Sequence, residues 1–220
     1  MILQRNLSET NRYGSVGKVA LLHKAEIQER LARTGSDALF IDPLLDPNQI
    51  GEVTIDLRLG CDFLVSILTR RPYIGTVKSD PTFRGIGSYF QSTRREFGDS
   101  FMLYPNQLAL TTTLEFIALP DDVHADVLSR SSYTRLGLHL NTMIQPGYRG
   151  CFPVELFNES NNPVELVVGS RIVQARLFSG TFKSAYSGAP RKYLGNVRPT
   201  PSRAADDHDL ERLIKIREKR

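Results

Sequence analysis

The run FMLYPNQLALTTTLEFIALPDD, residues 101–122, decides how this chain folds. Leu108, Leu110, Thr112, Leu114 and Phe116 fall on alternate positions, the period of a strand whose successive side chains point to opposite faces. Pro105-Asn106 predicts a turn ahead of that strand, and Leu119-Pro120-Asp121-Asp122 ends it. Upstream, VTIDLRLG (residues 53–60) alternates strictly, with Val53, Ile55, Leu57 and Leu59 on one face and Thr54, Asp56 and Arg58 on the other. That is a half-buried strand, on which Asp56 and Arg58 read as a surface ion pair. Downstream, short strands continue through an Asn161-Asn162-Pro163 turn to Phe178. The pattern predicts a mainly β domain of sandwich, barrel or jelly-roll type. One early helix is expected over residues 19–32, where Leu22, Ala25, Ile27 and Leu31 recur at helical spacing before a stop at Gly35.

Around this domain the composition changes. Residues 1–18 are polar and aperiodic, an N-terminal extension to a domain spanning 19–182. Within it, residues 69–100 are rich in Gly, Ser and Arg, a long irregular insertion of the kind that is commonly functional or mobile. Residues 183–203 are too rich in Gly, Ser and Pro to form a packed element. They nevertheless carry Tyr186, Arg191, Lys192, Tyr193 and Arg198, good groups for an anion. The charged tail, 204–220, predicts a short amphipathic helix with Leu210, Leu213 and Ile214 on one side, suited to core docking or a subunit contact.

At 220 residues the chain can bury a core without staples, and its 40% hydrophobic and 24% charged content is ordinary for a soluble globular protein. It has no apolar run of about 18 residues and no signal-peptide core, so a cytoplasmic setting and no membrane partner are expected. Cys61 and Cys151 fit that reduced compartment as small buried hydrophobes. A net charge of +4 and a pI near 9.1, part of it in the tail ERLIKIREKR, is too mild for a nucleic-acid signature and suits a small polyanionic ligand.

Several enzyme classes lack their motifs here: there is no GxxxxGK[ST] loop, no GxGxxG after a strand and no GxSxG elbow. His23, His124, His139 and His208 are scattered without metal-ligand spacing, and no Cys-x-x-Cys exists. The zinc site of the common nucleobase deaminases therefore has no ligands in this sequence, and hydrolytic chemistry must manage without protein-bound zinc. Two features remain. Ser129-Arg130-Ser131-Ser132 with Arg135 offers hydroxyls, backbone N–H groups and guanidiniums for a phosphate, or else a capped helix start with surface arginines. In CFPVELFN, Phe152, Val154 and Leu156 share one face and Glu155 takes the other. A strand glutamate by default faces solvent; facing a pocket, it would be desolvated, raised in pKa and suited to shuttling a proton.

The order of these motifs resembles that of the dCTP deaminases of the trimeric dUTPase superfamily. The likeness covers about residues 19–203: VTIDLRLG, the 101–122 run, RSSxxRLGL from Arg130, PGYRG from Pro146, VELFN from Val154, GxxIxQxxxF from Gly169, and RKY followed by Asn196. It implies a β-clip, or distorted jelly-roll, fold and a homotrimer with active sites at subunit interfaces. Glu155 matches the catalytic glutamate, and Ser131 and Arg135 match residues that position the attacking water. Arg130, Ser131 and Ser132 match triphosphate ligands, and Tyr148 the aromatic that packs on the deoxyribose. Val154 lies beside the base, and Thr134, Pro153 and Gln174 fall in the same motifs as substrate-binding residues. Tyr186, Lys192 and Asn196 fall on a flap that closes over the phosphates. Mg²⁺ would arrive bound to the nucleotide, with no zinc, and dTTP is a candidate inhibitor.

The implied reaction is dCTP plus water to dUTP plus ammonia. Protonation of cytosine N3 makes C4 electrophilic, and a water deprotonated by the same carboxylate attacks there; such a base contributes about 10²–10⁴-fold. Three departures from the family pattern bear on it. Gln145 stands where Asp or His is usual; it can hydrogen-bond the sugar but cannot act as a base, which argues against a bifunctional enzyme that also cleaves dUTP. The loop between Arg135 and Pro146 is short, leaving Asn141 or Thr142 to supply the carbonyl that holds the water. Asn196 and Ser129 replace a usual Gln and Gly. The alternatives are that bifunctional enzyme and an inactive nucleotide-binding regulator.

Overall fold

A computed structural model describes residues 18–181 and 191–218. In chain order the elements are β1 (Val19–Leu21), α1 (Lys24–Ala32), β2 (Phe40–Asp42), β3 (Ile55–Arg58), β4 (Asp62–Ser66), β5 (Phe90–Arg94), β6 (Ser100–Leu103) and β7 (Leu108–Ala118). There follow β8 (Val123–Ser129), α2 (Ser131–Thr134), β9 (Leu138–His139), β10 (Asn141–Ile144), β11 (Arg149–Asn158), β12 (Val164–Val167), β13 (Arg171–Gly180) and α3 (His208–Glu218). One sheet runs β1-β13-β8-β10, with β3 also on β13; the other runs β5-β4-β7-β11-β9, with β2 also on β7. A two-stranded ribbon, β12-β6, completes a mainly β fold as the alternation predicts.

Both sheets feed one cluster of buried side chains, in which Leu57, Phe63, Val127, Leu156 and Val173 are almost wholly enclosed. Phe63 stacks on Phe101 at 4.0 Å between ring centroids. The turn at Pro105-Asn106 forms with Asn106 at φ 59°, a left-handed conformation that asparagine tolerates better than most residues.

Structure and expectation differ at particular residues. The helix expected over 19–32 begins only at Lys24, because Val19, Ala20 and Leu21 pair instead with Gly180, Ser179 and Phe178. Glu26 caps the shortened helix by accepting from the His23 N–H at 3.0 Å. Arg30 fastens the helix to the β7–β8 turn by two bonds to Asp122, at 2.8 and 2.7 Å. Val53 precedes the strand and is exposed. Cys61 is only half-buried. Part of the 69–100 insertion is regular, since β5 pairs with β4. On α3, Leu213 is exposed and no described side chain is buried; Leu210 lines a surface pocket together with Val77 and Lys78 of the insertion, so the tail helix does not dock in the core.

β7 carries the largest difference. Its fully buried positions include Ala109, Thr111, Thr113, Glu115 and Ile117, while Leu108, Leu110, Leu114 and Phe116 are half-exposed. The apolar alternation therefore marks the outer, partly covered face of the sheet.

Candidate active site

Arg130 precedes α2 in an extended conformation, and Ser131, Ser132 and Arg135 follow on the surface. Thr134 braces the turn, its Oγ1 lying 2.7 Å from Ser129 Oγ and 3.3 Å from the Arg130 carbonyl oxygen. A cleft of about 670 Å³ opens beside Arg135, lined also by Gly137, Ser160, Asn162 and Glu165. Arg130 itself is turned inward. Its Nη1 donates to the Arg171 carbonyl at 2.9 Å, and its Nε lies 3.3 Å from Asp56 Oδ2. The Asp56–Arg58 pair expected from alternation is thus replaced: Asp56 faces Arg130, while Arg58 donates to the Gly169 carbonyl at 2.8 Å. Gln174 donates to Asp56 Oδ1 at 3.3 Å.

Glu155 owes its orientation to Pro153. Proline has no N–H for the ladder, and the β11–β7 register shifts between Cys151 and Pro153. The Phe152 N–H there donates to the Thr113 hydroxyl at 2.9 Å instead. Beyond this bulge Val154 and Leu156 point into the core, and Glu155 points out among half-exposed leucines, opposite Leu110, which in turn opposes Leu64. Solvent reaches Glu155 in the single chain. Enough protein surrounds its carboxyl, however, that desolvation holds it above the ordinary glutamate range.

The remaining predicted residues divide. Val154 is a core side chain. Tyr148 is also buried, its hydroxyl donating to the Cys151 carbonyl at 2.9 Å, and Gln145 is exposed at the head of its turn. Residues 191–203 lie along the sheet as a strap: Gly195 donates to the Arg149 carbonyl at 2.8 Å, and the Cys151 N–H donates to the Asn196 carbonyl at 3.0 Å. The Asn196 side chain is turned to the Thr200 hydroxyl at 3.2 Å. A small cavity of about 40 Å³ remains under the strap, between Tyr193, Asn196 and Arg198 above and Leu110, Tyr148 and Pro153 below. The Lys192 ammonium is paired with Asp207. Tyr186 lies outside the described residues. Among the described residues no hydrogen bond joins Glu155 to Ser131 or Arg135, which stand on different elements.

Sequence reasoning passed over Glu115. It is fully buried, accepting from the Arg58 N–H at 2.9 Å and from Gln49 Nε2 at 2.9 Å. Desolvation raises its pKa against these bonds. The one signal in the sequence was a carboxylate between Leu114 and Phe116, on the strand face opposite those large residues. Cys151 is no nucleophile: burial first, and Glu115 second, push its thiol up to about 11.

A family model described as dCTP deaminase-like matches residues 21–180. The chain is 33% identical over 201 residues to a protein named "dCTP deaminase, dUMP-forming" from Methanobrevibacter smithii, covering 88% of this chain and 100% of that one. It is 34% identical over 202 residues to a "dCTP deaminase" from Haloarcula marismortui, covering 86% and 97%. The crystal structure of 2′-deoxycytidine 5′-triphosphate deaminase from Agrobacterium tumefaciens superposes with a TM-score of 0.55 at 24% identity, over 74% of this chain and 49% of that one. This chain spans about half of that structure's length, and the likeness is one of fold. The VELFN strand with Glu155 and the serine–arginine turn before Arg135 lie inside the matched span, and the chain belongs to the dCTP deaminase-like family.

Proposed function

We propose that this chain hydrolyses the amino group of dCTP, with Glu155 as the group that moves the proton. The observation that carries the reading is Glu155 itself: a carboxylate on an apolar sheet face, raised in pKa by desolvation. A base held above the ordinary glutamate range is better matched to taking a proton from water near neutral pH. Glu155 deprotonates the water that attacks C4 and delivers protons to N3 and then to the leaving ammonia. Ser131 and Arg135 hold the water and polarise the site; Arg130 and Ser132 take the triphosphate. Magnesium arrives with the nucleotide as part of the substrate.

Glu155 on β11 shares no hydrogen bond with Ser131 or Arg135 at the α2 turn among the described residues, which fits a homotrimer in which one copy's sheet face meets another copy's α2 turn. The half-exposed Leu110, Leu114 and Phe116 face is the surface such packing would cover. Closure of that interface would desolvate Glu155 further.

The product is dUTP by the chemistry of Gln145, since a carboxamide cannot activate water against a phosphoanhydride. A second reading, release of dUMP, is favoured by the name of the Methanobrevibacter smithii relative. Incubating the protein with dCTP and resolving dUTP, dUMP and pyrophosphate separates the two. Ammonia and dUTP without pyrophosphate is the expected result; stoichiometric pyrophosphate overturns the assignment to dUTP, and no product of any kind overturns the enzyme.

A further inference from the structure

We infer that Asp56 is a positioning residue for the triphosphate: it holds the Arg130 guanidinium in place. The inference rests on the reading above, in which Arg130 meets phosphate.

The pair is partly enclosed, the Asp56 and Arg130 side chains being 15% and 34% exposed. Asp56 is fixed from several directions. It is the register partner of Gln174 on β13, and its carboxylate accepts from the Gln174 amide at 3.3 Å. Its carbonyl accepts from the fully buried Gln49 at 3.0 Å. Arg130 is fixed in turn by its backbone N–H on the Ile172 carbonyl and its Nη1 on the Arg171 carbonyl, both at 2.9 Å. Strands β3 and β13 and the turn into α2 thus converge on one guanidinium, next in sequence to the exposed hydroxyls of Ser131 and Ser132. With Nε facing Asp56 and Nη1 on a carbonyl, Nη2 has no hydrogen-bond partner among the described residues and is the edge offered to a phosphate oxygen.

An arginine free to swing loses rotamer freedom when it grips an anion; one already held loses little, and binding is stronger by that difference. Asp56 is itself negative and repels phosphate, so its two effects oppose each other. The guanidinium stands between carboxylate and phosphate and screens the repulsion, so positioning is the larger effect.

The experiment is calorimetric titration of the full-length protein with inorganic triphosphate and magnesium, alongside dCTP kinetics. Asp56→Asn keeps the acceptor for Gln174 and removes the charge. It should weaken triphosphate about ten-fold and raise KM for dCTP in parallel, with kcat within about two-fold and the melting temperature unchanged. In an Arg130→Lys background, where no Nε–H remains, Asp56→Asn should add less than about two-fold. Tighter triphosphate binding in Asp56→Asn, an equal loss in both backgrounds, or a fall in kcat at constant KM overturns the inference. Failure of the unmodified protein to bind triphosphate overturns it together with the reading of the site; binding that Asp56→Asn leaves unchanged overturns it alone.

Discussion

Glu155 stands directly across from Leu110 in the antiparallel pairing of β11 with β7, a carboxylate set among leucines on the outer face of a sheet. Apolar surroundings stabilise its protonated form, and the raised pKa follows. The acid limb of kcat/KM for dCTP should therefore fall off at a pH above that of an ordinary glutamate, because activity needs the carboxylate and its proton is held more tightly. Glu155→Gln should lose at least about 10²-fold in ammonia release and erase that limb, while calorimetry finds dCTP still bound. Turnover retained in Glu155→Gln removes the carboxylate from the mechanism.

Gly150 lies where the strap meets β11, with φ at 146°. A Cβ there would come within 2.6 Å of the Asn196 carbonyl oxygen and 2.9 Å of the Tyr148 hydroxyl. Gly150→Ala must strain the backbone or lift the strap, at about 1–3 kcal/mol. Limited proteolysis should cut residues 191–203 faster in this variant, with KM for dCTP raised. Unchanged cleavage would mean that the strap does not depend on this approach.

Glu115 links stability to pH. Its folded pKa is raised, so the folded chain binds its proton more tightly than the unfolded chain does. The stability this contributes is complete below the unfolded glutamate pKa, about 4.3, and is lost as pH rises through the folded value. Relative to Glu115→Gln, which cannot titrate, the native protein should lose stability in urea melts across that window. A difference between the two that is flat with pH would disprove the linkage.

Phe40 is exposed on β2, edge-on to Phe116 at 6.3 Å between centroids, on the apolar outer face. Phe40→Asp should change the single chain's stability by only about 0.5 kcal/mol, the usual range for a surface position. If that face is covered by other copies, light scattering should find the native protein near three times 24.7 kDa and the variant smaller and less active. A native protein that runs at 24.7 kDa contradicts the assembly.

Alternation of apolar residues determined, without coordinates, that the chain is a mainly β domain, and Ile55, Leu57 and Leu59 were assigned to the inside of their strand by the same period. The ordered motifs from VTIDLRLG to RKY were enough to identify the family and to single out Glu155. What alternation could not choose was which face of β7 is inner. Its outer face is also apolar, and hydrophobicity alone does not separate a core from a surface awaiting a partner. Only the tertiary structure buried Glu115, because its partners, Gln49 and the Arg58 N–H, come from distant positions in the chain. Short-range pattern likewise paired Asp56 with Arg58, two residues away on the same face. The fold instead brings Arg130 to Asp56 through the β3–β13–β8 pairing, a contact that no local periodicity encodes.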